Sequence, residues 1–308
     1  MPRRALALQI WTVESLFTPL GRPPWTSARP PFGLANETFV SERASGSGPA
    51  GFPAVSFVMP AYNEEAIVGQ TIRRVLGAFG NAGIPLQLVV VDNGSRDRTG
   101  EIIRQLAQEH PQITPVRVEK NVGYGSGILS GIPACVAPWV GVIPADGQVD
   151  AEDAVRLFED AVASGLPVLA KARRRFRMDG PSRKVVSIAY NLFFRSLFPG
   201  VQSMDINGLP KLMPREVILR MELTSKQWLL DPEIMIKANY LGVRVLEYNC
   251  FARMRGNGLS HVKATTCWEF FAALLRFRFS GEFSAWRRRV GASPTLTAPE
   301  PTTRASLT

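Results

Sequence analysis

The chain has 308 residues, 45% of them hydrophobic and 20% charged, an ordinary globular composition with enough apolar material for a substantial core. Its two histidines exclude a histidine-rich zinc site and leave little room for a serine hydrolase triad; its three cysteines, Cys135, Cys250 and Cys267, have neither metal-ligand spacing nor a disulfide framework, which fits a reducing compartment. The formal net charge of +10 is compatible with nucleic acid, an anionic membrane surface or an anionic substrate, so its distribution has to decide among them.

No uninterrupted apolar stretch reaches the roughly 18 residues that a membrane-spanning helix needs. The weak apolar region behind Arg3 and Arg4 is interrupted by Gln9 and Glu14 and reads as an uncleaved N-terminus. Residues 1–51 are expected to be disordered or loosely ordered, because the stretch from Gly21 to Gly51 is rich in Pro, Gly, Ser and Arg. A folded domain is expected over 52–264, an aromatic and basic helix over 265–289, and a second disordered tail over 290–308.

Within the domain, strands and helices alternate. Val55-Ser-Phe-Val-Met59 predicts a first strand that stops at Pro60, ahead of Ala61-Tyr-Asn-Glu-Glu65, where Asn63 is placed to cap the next helix. That helix carries Val68, Ile72, Val75, Leu76 and Phe79 on one face and ends near Gly80 and Gly83. Leu86 to Asp92 is the second strand, followed by a polar turn to Thr99 and a helix with Ile102, Ile103 and Leu106 inward. His110, at the end of that charged helix, reads as a surface residue. A third strand is expected from Ile113 to Val118, then the glycine-rich turn Asn121-Val-Gly-Tyr-Gly-Ser-Gly127, and then a strand over Val140 to Ile143 that Pro144 stops. This is a βαβαβ nucleotide-binding half.

Ligands of open α/β sheets bind beyond the carboxyl ends of the strands, which puts Asp146 and Gln148 where a substrate would sit. Mg²⁺ and Mn²⁺ take oxygen ligands and often use one or two protein carboxylates, with substrate phosphates completing the sphere. The same residues also read as a plain turn, with Asp150 capping a helix that starts near Ala151. The Gly123-x-Gly125-x-Gly127 spacing is not the dinucleotide fingerprint, which disfavours an oxidoreductase. It leaves two uses for the turn: a helix N-terminus approaching phosphate or sugar, or a tight loop.

Taken together, Val58-Met-Pro-Ala-Tyr-Asn-Glu-Glu65, Val90-Val-Asp-Asn-Gly-Ser95, Asn121-Val-Gly-Tyr-Gly125 and Ala145-Asp-Gly-Gln148 resemble, in order and spacing, the family-2 glycosyltransferases. The resemblance continues through Ser182-Arg183, Asp205-Ile-Asn-Gly-Leu-Pro-Lys211, Leu230-Asp-Pro-Glu233 and Arg253-Met-Arg-Gly-Asn-Gly-Leu-Ser260, covering residues 54 to 280, and within the family is greatest to the polyprenyl-phosphate mannose and glucose synthases. It implies a GT-A fold, a Rossmann-like and mostly parallel central sheet with flanking helices, and inverting transfer from a GDP- or UDP-linked sugar with Mg²⁺ or Mn²⁺ as cofactor. It also implies a nucleotide pocket lined by Pro60, Tyr62, Asn63, Glu64 and Asp92, with Asn121, Gly123, Ala145 and Asp146 beside them, and metal ligation by Asp146 and Gln148. Two departures stand out: Pro144 occupies the first position of the usual Asp-x-Asp, and Asn93 follows Asp92 where paired acids are usual.

The acceptor is read from charge. A hydroxyl acceptor requires a carboxylate base, and Asp231 stands where the family often has one; a lipid phosphate is already anionic and needs cations to hold it. Arg183 and Arg255, in family-like motifs, are the first candidates for that task, with Lys211 and Lys171 from the same basic stretch; Arg183 joins Asp146 and Asp231 as a catalytic candidate. The segment Thr265 to Phe279, followed by Trp286-Arg-Arg-Arg289, reads either as a helix lying on an anionic membrane surface or as one closing the domain core. A cytoplasmic protein, peripheral at the inner face of a membrane, is the resulting expectation. The leading reading is a transferase acting on a polyprenyl phosphate; the alternatives are a soluble transferase with a small-molecule hydroxyl acceptor and a catalytically silent nucleotide-sugar or membrane-surface binding module. Nucleic-acid binding ranks last, because no RNA- or DNA-reading motif accompanies the charge.

Overall fold

Seven strands form one sheet in the order β3-β2-β1-β4-β6-β5-β7 in the computed structural model, which describes residues 52–174, 192–201, 203, 205–250 and 264–291. The strands are β1 (Val55–Ala61), β2 (Leu86–Asp92), β3 (Ile113–Arg117), β4 (Trp139–Val142), β5 (Val168–Arg174), β6 (Lys211–Pro214) and β7 (Arg244–Cys250). β1 pairs in parallel with β2 and β4, and β2 in parallel with β3. β6 runs antiparallel to both of its neighbours, and β5 and β7 are again parallel. Pro115 lies in β3, an edge strand, where a missing ladder donor is tolerated.

A parallel sheet has to be covered on both faces, and the central strands alternate accordingly. Phe57, Met59, Leu88 and Val90 face one layer, built on α1 (Val68–Asn81), α2 (Thr99–Glu109) and α4 (Ala151–Ala163). Val58, Val89 and Val91 face the other, which contains α3 (Tyr124–Gly131), α5 (Arg215–Arg220), α6 (Leu230–Tyr240), α7 (Ala264–Arg278) and α8 (Gly281–Gly291). The expected helix faces hold: Val68, Ile72, Val75 and Phe79 are buried on α1, and Ile103 and Leu106 on α2. Among the described residues, no helix is long and apolar enough to cross a membrane.

Two expectations about helices change. Asn63 does not cap α1, which begins at Val68 with no side-chain cap; its carboxamide is engaged elsewhere. The stretch 265–289 is two helices rather than one, with Ser280 between them, its hydroxyl accepting the Phe283 N–H at 3.1 Å. Their apolar side enters the fold: Leu274, Phe277, Phe283 and Trp286 are buried against Phe194, Phe198 and α6, and Trp286 Nε1 donates to the Arg220 carbonyl at 3.1 Å. Of the two readings of this segment, core closure accounts for these side chains, while Leu275 and Phe279 remain exposed. Cys135 and Cys250 are free and buried, and burial pushes both thiols up to about 12.

Lys171 and Lys211, register partners on β5 and β6, are both fully buried. Lys171 Nζ meets Glu247 at 3.1 Å and Ser203 at 3.4 Å and donates to the Asp205 carbonyl, while Lys211 Nζ is ion-paired with the buried Asp231 at the start of α6. Removing one member of such a pair strands the other charge in a dry site. Lys211→Met alone is therefore expected to cost about 3–5 kcal/mol in urea unfolding, and the double variant Lys211→Met/Asp231→Leu to regain most of that loss. Equal destabilisation of the single and double variants would rule out charge pairing as the source of the effect.

Candidate active site

The sheet changes direction between β1 and β4: the chain runs from β1 outward to β2 and β3, then returns to place β4 on the other side of β1. A crevice opens at such a switch point beyond the carboxyl ends of the strands. The loops that follow β1, β2, β3 and β4 all end here.

The first two are joined by hydrogen bonds between side chains and backbone. Asn63 N–H donates to Ser95 Oγ (3.1 Å), Glu64 N–H to Thr99 Oγ1 (2.8 Å) and Glu65 N–H to Asp97 Oδ2 (3.2 Å). In return, Asn63 Oδ1 accepts the Arg96 N–H (2.9 Å) and Glu65 Oε2 the Arg98 N–H (3.0 Å). Asn63 holds a left-handed backbone, φ 53°, to make this junction, which is why its side chain serves the neighbouring loop rather than its own helix. Burial works to raise the Asp97 carboxyl, but the hydrogen bonds from the Thr99 side chain and from the Thr99 and Glu65 amides outweigh it and leave its pKa below the ordinary value.

Asp92 ends β2 almost fully buried. Its Oδ1 accepts the Ser95 N–H (2.9 Å) and its Oδ2 is ion-paired with Arg117 of β3 (2.7 Å). Pro60 lies on β1 opposite Val91, and Tyr62 is 43% exposed on the rim, where an aromatic face is open to a ligand. The carboxylate expected to line a nucleoside pocket is thus already held by a guanidinium that no motif marks. Only the pairing of β3 with β2, which sets Asp92 opposite Arg117, brings the two together.

The glycine-rich turn packs against protein. Asn121 Oδ1 accepts the Gly123 N–H (2.8 Å), and Gly123 has a φ of 134° that favours glycine. A Cβ on Gly123 or Gly125 would collide with the backbone of residues 225–227, which crosses over the turn: Ser126 N–H donates to the Lys226 carbonyl (2.8 Å) and Gln227 Nε2 to the Val122 carbonyl (2.7 Å). Tyr124 and Trp228 stack at 4.9 Å between ring centroids, with Trp228 54% exposed. The strap 223–229 is tied down from below by the buried Glu233, whose carboxylate accepts the Thr224 and Ser225 N–H groups and the Lys237 ammonium. Glu233 belongs to the family-like segment Leu230-Asp-Pro-Glu233, but nothing in that segment marks its carboxylate as the anchor of the strap.

Asp146 and Gln148 follow β4, both half-buried, with Asp146 Oδ1 accepting the Gln148 N–H at 3.1 Å. Between them Gly147, φ 68°, lies against α1: a Cβ there would be 3.2 Å from Ile67 Cγ1 and 3.3 Å from Thr71 Oγ1. Ala145 is buried beneath, Pro144 is half-buried, and α4 starts at Ala151 as expected, though Asp150 makes no side-chain cap. The described residues contain no cluster of three or more His, Cys, Asp or Glu suited to a metal. One carboxylate and one amide oxygen at a strand end still fit Mg²⁺ or Mn²⁺, which commonly leave their remaining positions to water and phosphate oxygens.

Asp231, Lys211 and Lys171 are enclosed below this crevice, each already partnered as described above, so none presents a free charge to a phosphate. Burial pushes Lys211 down to about 8, opposed by the Asp231 carboxylate and assisted by Lys171. The expectation of direct phosphate contact from the two lysines is replaced by an internal one, because both ammonium groups are fully buried against their partners. Arg183 and Arg255 lie outside the described residues.

The sequence profile of glycosyl transferase family 2 matches residues 56–219. An undecaprenyl-phosphate 4-deoxy-4-formamido-L-arabinose transferase of Pectobacterium carotovorum is 35% identical over 142 residues, 46% of this chain and 43% of that protein, so the match spans less than half the length of that relative. A dolichyl-phosphate beta-glucosyltransferase of Trichomonas vaginalis is 25% identical over 232 residues, 68% of this chain and 71% of that one. Among solved structures, glucosyl-3-phosphoglycerate synthase of Mycobacterium tuberculosis, in complex with Mn²⁺, UDP and glucosyl-3-phosphoglycerate, superposes with a TM-score of 0.59 at 20% identity, covering 82% of this chain and 86% of that one. The same enzyme with Mg²⁺ and UDP also gives 0.59 at 20% identity, covering 81% and 84%. These likenesses agree with the sheet order in assigning the GT-A fold. Since the family profile runs from β1 into α5 and takes in every loop that follows β1 to β4, the chain belongs to glycosyl transferase family 2.

Proposed function

We propose that this protein is an inverting, metal-dependent glycosyltransferase that moves a sugar from a nucleotide-diphosphate donor to a polyprenyl phosphate. The observation that carries this reading is the convergence, at the switch point of the sheet, of the joined β1 and β2 loops with Asp146 and Gln148. The names of the relatives support the acceptor class, since both act on lipid-linked phosphates. The UDP and Mn²⁺ held by the structural neighbour support the donor class.

In this reading Tyr62, Asn63, Glu64 and Asp92 bound the nucleoside, with Pro60, Asn121, Gly123 and Ala145 shaping its walls. Asp146 and Gln148 would hold Mg²⁺ or Mn²⁺, which when bound neutralises charge on the leaving diphosphate. An acceptor oxygen attacks the anomeric carbon opposite the bond to the diphosphate; the new C–O bond forms as the old one breaks, and configuration inverts. An anionic phosphate acceptor needs no deprotonation, which suits a site where Asp231 already serves Lys211. Asp231 is then a positioning group that fixes the start of α6 under the crevice, and Arg183 and Arg255 are the cations proposed for the acceptor phosphate. Exposed Leu275 and Phe279, near Arg276 and Arg278 on α7, support a peripheral position on the cytoplasmic face of an anionic membrane.

A second reading, transfer to a small soluble acceptor, is favoured by one observation: the structural neighbour carries a phosphoglyceric acid derivative as its product. Incubating the full chain with a radiolabelled nucleotide sugar and either a short-chain polyprenyl phosphate or phosphoglycerate separates the two. Label passing into the organic phase with the polyprenyl phosphate is the expected result, and label confined to water-soluble product would shift the assignment to the second reading.

The donor site is tested by calorimetric titration of UDP, GDP and dTDP, with and without Mn²⁺ or Mg²⁺. One nucleotide is expected to bind in a metal-dependent way, with affinity at least about tenfold weaker in a folded Asp146→Ala variant, corresponding to loss of about 1.4 kcal/mol or more. Binding without turnover on any acceptor would instead identify a silent binding module, and no binding by folded wild type would sink the mechanism.

A further inference from the structure

We infer that Asn93 is a positioning residue for the donor site, and that its neutral amide, rather than a second carboxylate, holds the Asn121–Gly127 turn and the start of α3 in place. Asn93 is 3% exposed at the junction of three elements. Its backbone N–H donates to the Ala61 carbonyl at the end of β1 (2.9 Å), and its Nδ2 donates to the Gly123 carbonyl (3.1 Å). That carbonyl is also the first acceptor of α3, receiving the Gly127 N–H at 3.3 Å. The fit is close: a Cβ on Gly127 would sit 2.9 Å from Asn93 Cγ and Nδ2, so the turn has no room to move toward β2.

The bond requires a donor. A carboxylate at this position would turn an acceptor toward the Gly123 carbonyl, with Asp92 as its sequence neighbour. The orientation of the amide is itself informative, because it leaves Asn93 Oδ1 buried without a hydrogen-bond partner while Nδ2 meets the carbonyl. Flipping the amide would set oxygen against oxygen, so the donor at Gly123 takes precedence over satisfying the acceptor. From above, the turn is held by Lys226 and Gln227 of the strap; from below, the Asn93 side chain reaches it. The titratable groups on the elements that meet here include Asp92 and Arg117, paired with one another, Tyr62, Glu64 and Glu65 after β1, Arg96 and Asp97 after β2, Lys120 and Tyr124 at the turn, and Lys226 on the strap.

An aspartic acid at position 93 can donate only when protonated, and burial beside Asp92 raises its pKa above the ordinary carboxylate value of about 3.9. The clamp in Asn93→Asp should therefore be present at low pH and lost as pH rises through that raised pKa. The test is hydrogen exchange of the full-length wild type, Asn93→Asp and Asn93→Ala at pH 5 and pH 8, corrected for intrinsic rates, read at Ser126 and Gly127, with thermal midpoints as a folding control. At pH 8 both variants are expected to lose protection there by about tenfold or more; at pH 5 Asn93→Asp should recover toward wild type and Asn93→Ala should not. Wild-type protection in Asn93→Asp at pH 8, or equal loss in both variants at both pH values, overturns the clamp.

The role in donor binding rests on the proposed function and has its own arm, titration of UDP with Mn²⁺ at the same two pH values. Weaker binding by Asn93→Asp at pH 8 than at pH 5, measured against wild type, is the expected result. Unchanged affinity with a loosened turn would show Asn93 to be structural only and overturn the positioning role. Failure of wild type to bind any nucleotide, with the exchange pattern intact, would leave the clamp standing and remove the transferase reading instead.

Discussion

Peptide groups beyond the carboxyl ends of a parallel sheet have left the ladder and take their partners either from water or from side chains, and the site in this protein depends on which they take. The answer is side chains from the neighbouring loop. Ser95, Asp97 and Thr99 accept the N–H groups of residues 63–65, and Asn63 and Glu65 accept N–H groups of residues 96 and 98. Each loop is thus the template for the other, and both are anchored in strands that pair directly in the sheet, with Ala61 opposite Asp92 at their ends. A ligand bound there meets a rim whose backbone is already organised before it arrives, which reduces the ordering cost of binding.

Charge is arranged on the same principle at two depths. At the rim, Asp92 is neutralised by the half-exposed Arg117, so solvent still reaches one partner. Deeper in the fold, Lys171 with Glu247 and Lys211 with Asp231 are enclosed, and Glu233 with Lys237 ties the strap 223–229 to α6. Buried pairs of this kind add little net stability relative to apolar residues, but each removes the freedom of the elements it joins. Here they join β5 to β7, β6 to α6, and α6 to the strap over the glycine turn. The C-terminal helices connect to the same network: Lys237 lies 5.0 Å from the Trp286 ring centroid and Arg289 pairs with Glu222 at the edge of the strap.

Much of the fold was legible in the residues. The runs of β1, β2 and β4 and the inward faces of α1 and α2 follow from hydrophobic periodicity, and the strand starting at Leu86 and ending at Asp92 appears with those bounds. α6 was less readable, since residues 230–238 are all buried and a helix surrounded by protein has no polar stripe to mark its face. The glycine turn was readable as close-packed but not as to what it packs against, because the strap lies about a hundred residues further along the chain and nothing local encodes their meeting. The buried lysines read as cations for an acceptor phosphate for the same reason: a lysine in a basic stretch looks available until its acid, supplied by a distant strand or helix, is located.

What the sequence determined by itself is therefore the alternation of strands and helices, the family to which the motifs belong, and the placing of Asp146 and Gln148 just beyond a central strand. These are matters of pattern along the chain: short local runs for the strands and helices, and the order and spacing of such runs for the family. The tertiary structure decided which charges remain available. It paired Asp92 with Arg117, Lys211 with Asp231 and Lys171 with Glu247, set Asn93 under the glycine turn, and turned the aromatic side of the C-terminal helices inward. Each of these is a contact between elements far apart in the chain, and the energy of a charge or an amide is set by its spatial neighbours rather than its sequence neighbours.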